Sequence, residues 1–287
     1  MQPPPSPVVL EYLDLDAPAL ALPTSSLDSA ERERAARFHF EEDRRRFIHG
    51  RAWLRLRVAE LLGMEPAAVA FTTIGERGKP AVASKLAPTV AQSPVGGSLL
   101  PTVASKLAPT VPTVASKLAP TGSSAPTSPQ SIVGGSLLPT DTLPTFNLSH
   151  SAQHGLLALH AGGLPLGVDL ELARPFERAA RIAARHFNAA EAAAVAAAAE
   201  GAEREAVFFR TWTRKEAYLK LTGLGLPGGL ACVETGTEAA ARSLRVPAEH
   251  GLASAWVTSL NLPASAPTGL LAALAAPCAV PVDWRRT

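Results

Sequence analysis

The chain has 287 residues, 47% of them in the hydrophobic set, so it can bury a sizeable core. Its 27 basic and 25 acidic residues give a formal net charge of +2, which excludes binding of nucleic acid or anionic membranes by bulk charge. Two cysteines are too few for a disulfide framework, and neither a secretory signal nor a run of about 18 apolar residues is present, so we expect a soluble cytoplasmic protein without membrane contact.

The first predicted elements are two helices. Asp28 followed by Glu31 predicts a capping box that opens a charged helix extending toward Phe40. A second helix is predicted from Glu42 to Leu62, because its apolar residues recur at helical spacing and Gly63 is a typical stop signal.

Seven of the arginines in these two helices form a basic cluster. Arginine favours bidentate phosphate contacts, so the group is suited to a multiply phosphorylated small ligand. RNA binding is disfavoured, because no aromatic platform is interleaved with the arginines. The alternative is a solvated helix face balanced by Glu31, Glu33, Glu41 and Glu42. The arginines are Arg32, Arg34, Arg37, Arg44, Arg45, Arg46 and Arg51, and Lys79 follows them in a GKP motif.

Residues 83–141 consist largely of short units that repeat. The units are VASKLAPT at 82–89, 103–110 and 114–121, and VGGSLLPT at 95–102 and 133–140. Recurrent prolines break helices and strands, no aromatic residue is present, and the spacing lacks the fixed period of a solenoid. We interpret the segment as a disordered or loosely ordered surface insertion, with a partner-binding linker as the alternative.

After the insertion the pattern changes to strands and then helices. PTFNLSH, GLLALHA and PLGVDLEL predict three strands, with a turn at Gly162 and Gly163. The predicted helices run from Phe176 to His186, from a cap at Asn188 with Glu191, and from Glu203 to Leu221, and short strands follow from Cys232. Helices and hairpins in succession, without regular βαβ alternation, predict an α+β fold.

Two acidic residues of the GVDLE segment share one face of a predicted strand. Asp169 and Glu171 are two positions apart, while Val168 and Leu170 point to the opposite face. Two carboxylates this close repel each other, and hard oxygen ligands of this kind suit Mg²⁺. An ordinary pair of solvent-facing acids on an amphipathic strand is the alternative.

A third acid lies on the apolar face of the last predicted helix. Phe208, Trp212, Glu216 and Leu219 are separated by four, four and three residues, so Glu216 points with the apolar side chains. An unpaired carboxylate there is costly. It must take up a proton, coordinate a metal, or pair with a basic residue such as Lys220, one turn further on.

Four other polar residues accompany these acids. Ser149 and His150 are neighbours on a predicted strand and point to opposite faces, which argues against a serine nucleophile activated by that histidine. A hydroxyl and an imidazole are also reasonable ligands for a phosphate or a sugar hydroxyl. Arg214 and Lys215 are interpreted as a solvated basic edge, or else as phosphate ligands.

Five segments, in this order, resemble those of the Sfp-type 4′-phosphopantetheinyl transferases. They are ERERAARF with EEDRRRF, FTTIGERGKP, FNLSHS, GVDLE and FFRTWTRKEAYLKLTGLGL. The resemblance implies two similar α+β halves with the active site in the cleft between them. We therefore predict domains at 1–166 and 167–287, with the insertion at 83–141 inside the first.

The same resemblance implies a reaction. These enzymes transfer the 4′-phosphopantetheine arm of coenzyme A to a serine of an acyl or peptidyl carrier protein of fatty-acid, polyketide or nonribosomal-peptide synthesis, releasing adenosine 3′,5′-bisphosphate. It implies that Asp169, Glu171 and Glu216 hold Mg²⁺, that Glu216 is the base for the carrier serine, and that Lys220 stabilises or protonates the leaving phosphate.

Coenzyme A contacts also follow from the resemblance. The matching positions are Arg46, Lys79, Ser149 and His150, with Arg32, Arg34 and Arg37 as looser candidates for its 3′-phosphate. Phe47 stands where some relatives carry a small hydroxyl residue, and the insertion separates motifs that relatives keep about a dozen residues apart. A catalytically silent coenzyme A or carrier-binding module and a purely structural protein are the alternatives. A chain that closes its own cleft is expected to be a monomer.

Overall fold

The computed structural model describes residues 6–17, 20, 22–74, 79–82, 143–225 and 229–285, with the backbone alone at 73, 74 and 79–82. Its helices are α1 (Ser29–Ala36), α2 (Glu41–Leu62), α3 (Ala179–His186), α4 (Ala189–Ala197) and α5 (Ala202–Thr222). Its strands are β1 (Val8–Asp14), β2 (Phe71–Ile74), β3 (Lys79–Val82), β4 (Thr145–Ser151), β5 (His154–His160), β6 (Gly167–Leu172), β7 (Arg242–Leu244), β8 (Ala255–Ser259), β9 (Leu270–Ala276) and β10 (Val282–Trp284). The insertion predicted at 83–141 lies outside the described residues.

Two four-stranded sheets and a hairpin form the β structure. The first sheet has the order β10-β1-β5-β4, and the second has the order β6-β9-β8-β7, while β2 pairs with β3. All strand pairs are antiparallel except β1 with β10, which are parallel. With five helices beside them, these sheets confirm the predicted α+β fold. The domain boundary near Leu166 stays a prediction, and β10 pairs with β1 across it.

Alternation along the strands places the core on both faces of each sheet. Leu156 of β5 belongs to a cluster shared by both sheets, whereas Leu157, the next residue, packs with Trp53 of α2. In β9, Leu274 belongs to the shared cluster and Ala273 packs in the cluster that contains α5. The two sheets therefore face each other, with α2 on the outer face of the first and α5 on the outer face of the second.

The predicted capping box opens α1 and also joins α1 to α2. The Asp28 carboxylate accepts from the Glu31 amide at 2.8 Å, and the Glu31 carboxylate accepts from the Asp28 amide at 3.0 Å. The alternative of a solvated helix face does not hold for Glu31, which is buried and accepts from Arg51 and Arg55 of α2 at 2.6 Å each. These bonds fix α1 on α2.

The ends of the other helices follow the predicted signals, with one exception. Gly63 ends α2 at φ 63° and Gly223 ends α5 at φ 74°, both in the left-handed region that favours glycine. Asn188 caps α4 by accepting from the amide of Glu191 at 2.9 Å. The Glu191 carboxylate does not return the bond, because it binds Lys215 instead.

The described residues belong to one compact unit made of residues 1–87 and 141–287. Cys232 and Cys278 both carry free thiols, so packing and polar contacts stabilise this unit without a disulfide. Within the described ranges, none of the helices combines the length and hydropathy needed to cross a membrane.

Candidate active site

Strand β6 passes unusually close to α5. A Cβ added at Gly167 would lie 2.2 Å from the carbonyl oxygen of Ala217 and 2.4 Å from the amide nitrogen of Leu221. Only glycine fits at this position, because any side chain would collide with helix backbone. The close approach brings Asp169, two residues further along β6, beside Lys220 of α5.

Asp169 lies at the centre of a polar cluster that joins β4, β6 and α5. It is only 6% exposed, and its Oδ1 accepts from Lys220 Nζ at 2.7 Å and from Ser149 Oγ at 2.9 Å. Lys220 Nζ also donates to Ser149 Oγ at 2.8 Å. The predicted catalytic lysine, a predicted coenzyme A ligand and a predicted metal ligand therefore meet at one point.

The two glutamates near this cluster are held in unfavourable surroundings for a charge. Burial, followed by the charge of Asp169, raises the pKa of Glu216 to about 7, and Lys220 partly opposes the shift. The pKa of Glu171 is also raised, first by burial and then by Asp169, against a hydrogen bond from Ser151. The three acids lie close enough to influence one another, and Glu216 can exchange a proton near neutral pH.

The residues present fit a divalent cation, although they do not form a preassembled metal site. Within the described ranges, no three His, Cys, Asp or Glu side chains are grouped as a metal site would require. Asp169 Oδ2 and Glu216 Oε1 are buried and have no hydrogen-bond partner among the described residues. Buried carboxylate oxygens of this kind need a proton or a cation, and Mg²⁺ prefers such ligands. The ligand set Asp169, Glu171 and Glu216 stays a prediction.

His150 and Arg46 lie at the rim of the cluster. The His150 side chain is exposed, but atoms crowding its ring, and secondarily the charge of Lys220, lower its pKa. Arg46 lowers the pKa of His150 as well, so α2 reaches toward this end of β4. The Arg46 guanidinium donates to Asp16 Oδ2 through Nε at 3.0 Å and Nη2 at 2.5 Å. Asp16 therefore holds the Arg46 guanidinium, and the charges of Arg46 and Lys220 both act on the His150 ring.

The looser coenzyme A candidates, Arg32, Arg34 and Arg37, lie on α1 and at its C-terminal cap. The Arg34 guanidinium lies 5.2 Å from the centre of the Phe47 ring, so the two side chains form a cation–π contact. Burial, then the charges of Arg51 and Arg37, lowers the pKa of Arg34. Lys79 lies in β3, and its side chain is outside the described part of the structure.

The interpretation of Arg214 and Lys215 as a solvated edge or as phosphate ligands is wrong. Both are buried, because they face the segment that follows α5. Lys215 Nζ lies 2.5 Å from Glu191 Oε2 and donates to the carbonyls of Leu230 and Val233 at 2.6 and 2.8 Å. Arg214 donates through two nitrogens to the carbonyl of Thr235. The donors of Arg214 and Lys215 bind carbonyl oxygens and Glu191, and these bonds hold the segment that follows α5 against the helix.

Sequence reasoning missed two polar residues of β4. Asn147 Oδ1 accepts from the Val168 amide at 2.9 Å, and Ser151 Oγ donates to Glu171 Oε2 at 2.9 Å. The available signal was alternation, because polar residues at 147, 149 and 151 share one face of the strand, as the acids of β6 do. Side chains of β4 therefore hydrogen-bond along β6.

Comparison with known proteins gives matches on both sides of the insertion. Residues 165–275 match the 4′-phosphopantetheinyl transferase superfamily, and residues 17–94 match the 4′-phosphopantetheinyl transferase N-terminal family. The 4′-phosphopantetheinyl transferase HetI of Nostoc sp. is 31% identical over 221 residues, which cover 76% of this chain and 70% of HetI.

Two further relatives match over 87 residues each. They are slr0495 of Synechocystis sp., at 40% identity, and the 4′-phosphopantetheinyl transferase psf-1 of Bacillus pumilus, at 42%. These matches span 30% of this chain and about a third, 35%, of each relative's own length. Since the similarity to HetI extends over most of both chains and both family matches agree with it, the chain belongs to the 4′-phosphopantetheinyl transferase superfamily.

Proposed function

We propose that this protein transfers the 4′-phosphopantetheine arm of coenzyme A to a serine hydroxyl of an acyl or peptidyl carrier protein in a Mg²⁺-dependent reaction. The products are the holo-carrier and adenosine 3′,5′-bisphosphate. The observation that carries the proposal is the convergence of Asp169, Glu216 and Lys220 where β6 meets α5, with Ser149 and His150 on the adjoining strand.

Glu216 is the base in this mechanism. Without the cation its pKa is about 7, so its carboxylate ionises near neutral pH and can accept the proton of a serine hydroxyl, directly or through a water, as that oxygen attacks. The serine oxygen forms a bond to the β-phosphorus of coenzyme A, and the bond from that phosphorus to the bridging oxygen breaks. The leaving group is adenosine 3′,5′-bisphosphate, and in-line positioning does most of the catalytic work.

Lys220 serves the leaving phosphate. Its ammonium donates to Asp169 and Ser149, so its position is fixed on both sides before a substrate binds. A fixed ammonium can neutralise the charge that develops on the departing oxygen or give it a proton. Asp169, Glu171 and Glu216 would hold the divalent cation, which neutralises the pyrophosphate when bound.

Residues of β4 and basic residues of α1, α2 and β3 bind coenzyme A. Arg46, Lys79, Ser149 and His150 contact the phosphates, with Arg34 and Arg37 available to the 3′-phosphate. An acidic carrier is attracted by the arginines of α1 and α2, which speeds the encounter. The free thiols fit a reducing cytoplasm, and a single chain supplies every residue named, so the enzyme acts as a monomer.

A mass measurement tests the proposal. The protein is incubated with coenzyme A, an apo carrier protein and Mg²⁺, and the carrier is then weighed. A gain equal to one 4′-phosphopantetheine group supports transfer. If the protein retains coenzyme A but several carriers gain no mass, the proposed transfer is contradicted and the protein is a silent binding module.

Asp169→Ala tests the assignment of the site. We expect the transfer rate at saturating Mg²⁺ to fall by about 100-fold or more, because Lys220 loses one of the groups that position it and the cation loses a ligand. Asp283→Ala is the matched control, since Asp283 is exposed on β10. Transfer by Asp169→Ala at the parental rate would refute the assignment.

A further inference from the structure

Side chains of β4 make hydrogen bonds with β6 in register along their length. Asn147 binds the amide of Val168, Ser149 binds Asp169, and Ser151 binds Glu171. The two strands are the neighbouring edges of different sheets, so these bonds connect the sheets where no backbone ladder does. Each acid of the GVDLE segment therefore accepts a hydrogen bond from one serine of the SHS segment.

The second of these serines is held in a single orientation. Ser151 Oγ accepts from the amide of Leu172 at 3.3 Å and donates to Glu171 Oε2 at 2.9 Å. A hydroxyl has one proton to donate, and the bond from the Leu172 amide leaves that proton to the carboxylate. The backbone of β6 therefore orients the hydroxyl, which in turn orients the glutamate.

Among the described residues, the two polar contacts of the Glu171 carboxylate are on the same oxygen. Besides Ser151, the mostly exposed guanidinium of Arg174 lies 3.7 Å from Oε2. Oε1 can therefore accept a cation while the bond to Ser151 stays intact. A charge-assisted hydrogen bond of this length limits the rotation of the carboxylate.

We propose that Ser151 is a positioning residue that holds Glu171 in place as a ligand for the divalent cation. The inference rests on the proposed function, because it assigns a role toward the cation of that reaction. Ser151 itself touches neither substrate nor cation. It acts only through the carboxylate that it orients.

Three variants test this role. Ser151→Ala removes the hydroxyl, Ser151→Cys keeps nearly the same size with a much weaker donor, and Ser151→Thr keeps the hydroxyl. Ser254→Ala is the matched control, because Ser254 is exposed and donates to the carbonyl of Pro277 away from the acids. Two quantities are measured: Mg²⁺ binding by calorimetry with coenzyme A and no carrier, and the Mg²⁺ concentration that gives half-maximal transfer.

We expect Ser151→Ala and Ser151→Cys to weaken Mg²⁺ binding about tenfold or more, as is usual when the partner of a metal ligand is removed. Half-maximal transfer should need correspondingly more Mg²⁺, while kcat at saturation stays within about twofold. Ser151→Thr should restore binding, and Ser254→Ala should leave it unchanged. If Ser151→Ala fails to fold, Ser151→Cys decides the question.

Two negative results have different meanings. Mg²⁺ affinity in Ser151→Ala or Ser151→Cys equal to that of the parent, with or without a lower melting temperature, would overturn the positioning role and leave the proposed transferase intact. Absence of both transfer and Mg²⁺ binding in the parental protein would overturn the proposed function itself.

Discussion

Two consecutive residues of α5 show opposite ways of burying a charge. Lys215 is paired with Glu191 and donates to two carbonyls, and Glu191 Oε1 accepts from the amide and hydroxyl of Thr235 and the amide of Gly236. Glu216, the next residue, has a buried oxygen without a hydrogen-bond partner in the described structure and a pKa of about 7.

The contrast separates a residue that stabilises the fold from one that is available for chemistry. A buried charge that is paired with an opposite charge holds one conformation, whereas a buried carboxylate oxygen without such a partner stays ready to take a proton or a cation. Adjacent residues on a helix point about 100° apart, so Lys215 faces the segment at 229–236 while Glu216 faces β6.

Removing the satisfied charge should have the largest effect on stability. We expect Lys215→Met to lower the free energy of unfolding by about 3–5 kcal/mol, because Glu191 remains buried without its cation. Chemical denaturation at about pH 8 measures this loss. Arg242→Met is the control: its pair with Glu234 is 42% and 49% exposed and should contribute about 0–1 kcal/mol. Equal losses in both variants would contradict the contrast.

Removing the charge of Glu216 should instead raise the free energy of unfolding, by an amount that depends on pH. The folded state keeps the Glu216 proton up to about pH 7, while the unfolded chain releases it near the ordinary value of 4.5. The folded state therefore loses stability as pH rises between these values, by up to about 3 kcal/mol above pH 7.

Glu216→Gln is expected to remove that loss. It should be more stable than the parent at about pH 8, by up to ~3 kcal/mol, and equal to it below about pH 4, where both states of the parent are protonated. Denaturation at several pH values measures the difference. A difference that does not change with pH would refute the raised pKa. Transfer by the variant should fall at the same time.

Replacing residues 83–141 by a short Gly-Ser linker should change the surroundings of neither Lys215 nor Glu216. Low-complexity sequence adds little core, and shortening a loop changes closure entropy slowly, so unfolding should stay cooperative and the free energy should rise by no more than about 2 kcal/mol. Loss of a single cooperative transition would show that the insertion belongs to the fold.

The smallest expected effect is the change that Lys220→Met makes to the titration of His150. Burial, and then the charge of Lys220, lowers the pKa of His150, so removing that charge should raise the pKa of the ring. An NMR titration of the His150 ring, assigned with His150→Gln, measures the change. An unaltered titration would place Lys220 too far from the rim to act on a bound phosphate.

Local signals in the sequence predicted most elements of the fold. The Asp28 and Glu31 capping box, the stops at Gly63 and Gly223, and the alternation around Asp169 depend on residues within a few positions of one another, and the structure confirms each of them. Bonds between distant residues were not predicted. Nothing near Lys215 in the chain indicates that Glu191 and a later segment surround it.

The site shows the same limit. Helical spacing, which is local, predicted that Glu216 is turned toward the interior, and its Oε1 is buried. The neighbour one turn away, Lys220, suggested a pair within the helix, yet its ammonium binds Asp169 because Gly167 lets β6 approach α5. Such an approach depends on two backbones that are about fifty residues apart.

The pairing of β10 with β1 affects the order in which a newly made chain can fold. Val8 is opposite Val282 and Leu10 is opposite Trp284, whereas the second sheet needs nothing beyond Ala276. While the chain emerges from the ribosome, β1 must therefore keep one edge open until the last of these strands has been synthesised. Among the described strands, the one translated first is completed last, and its open edge is what a chaperone would need to protect.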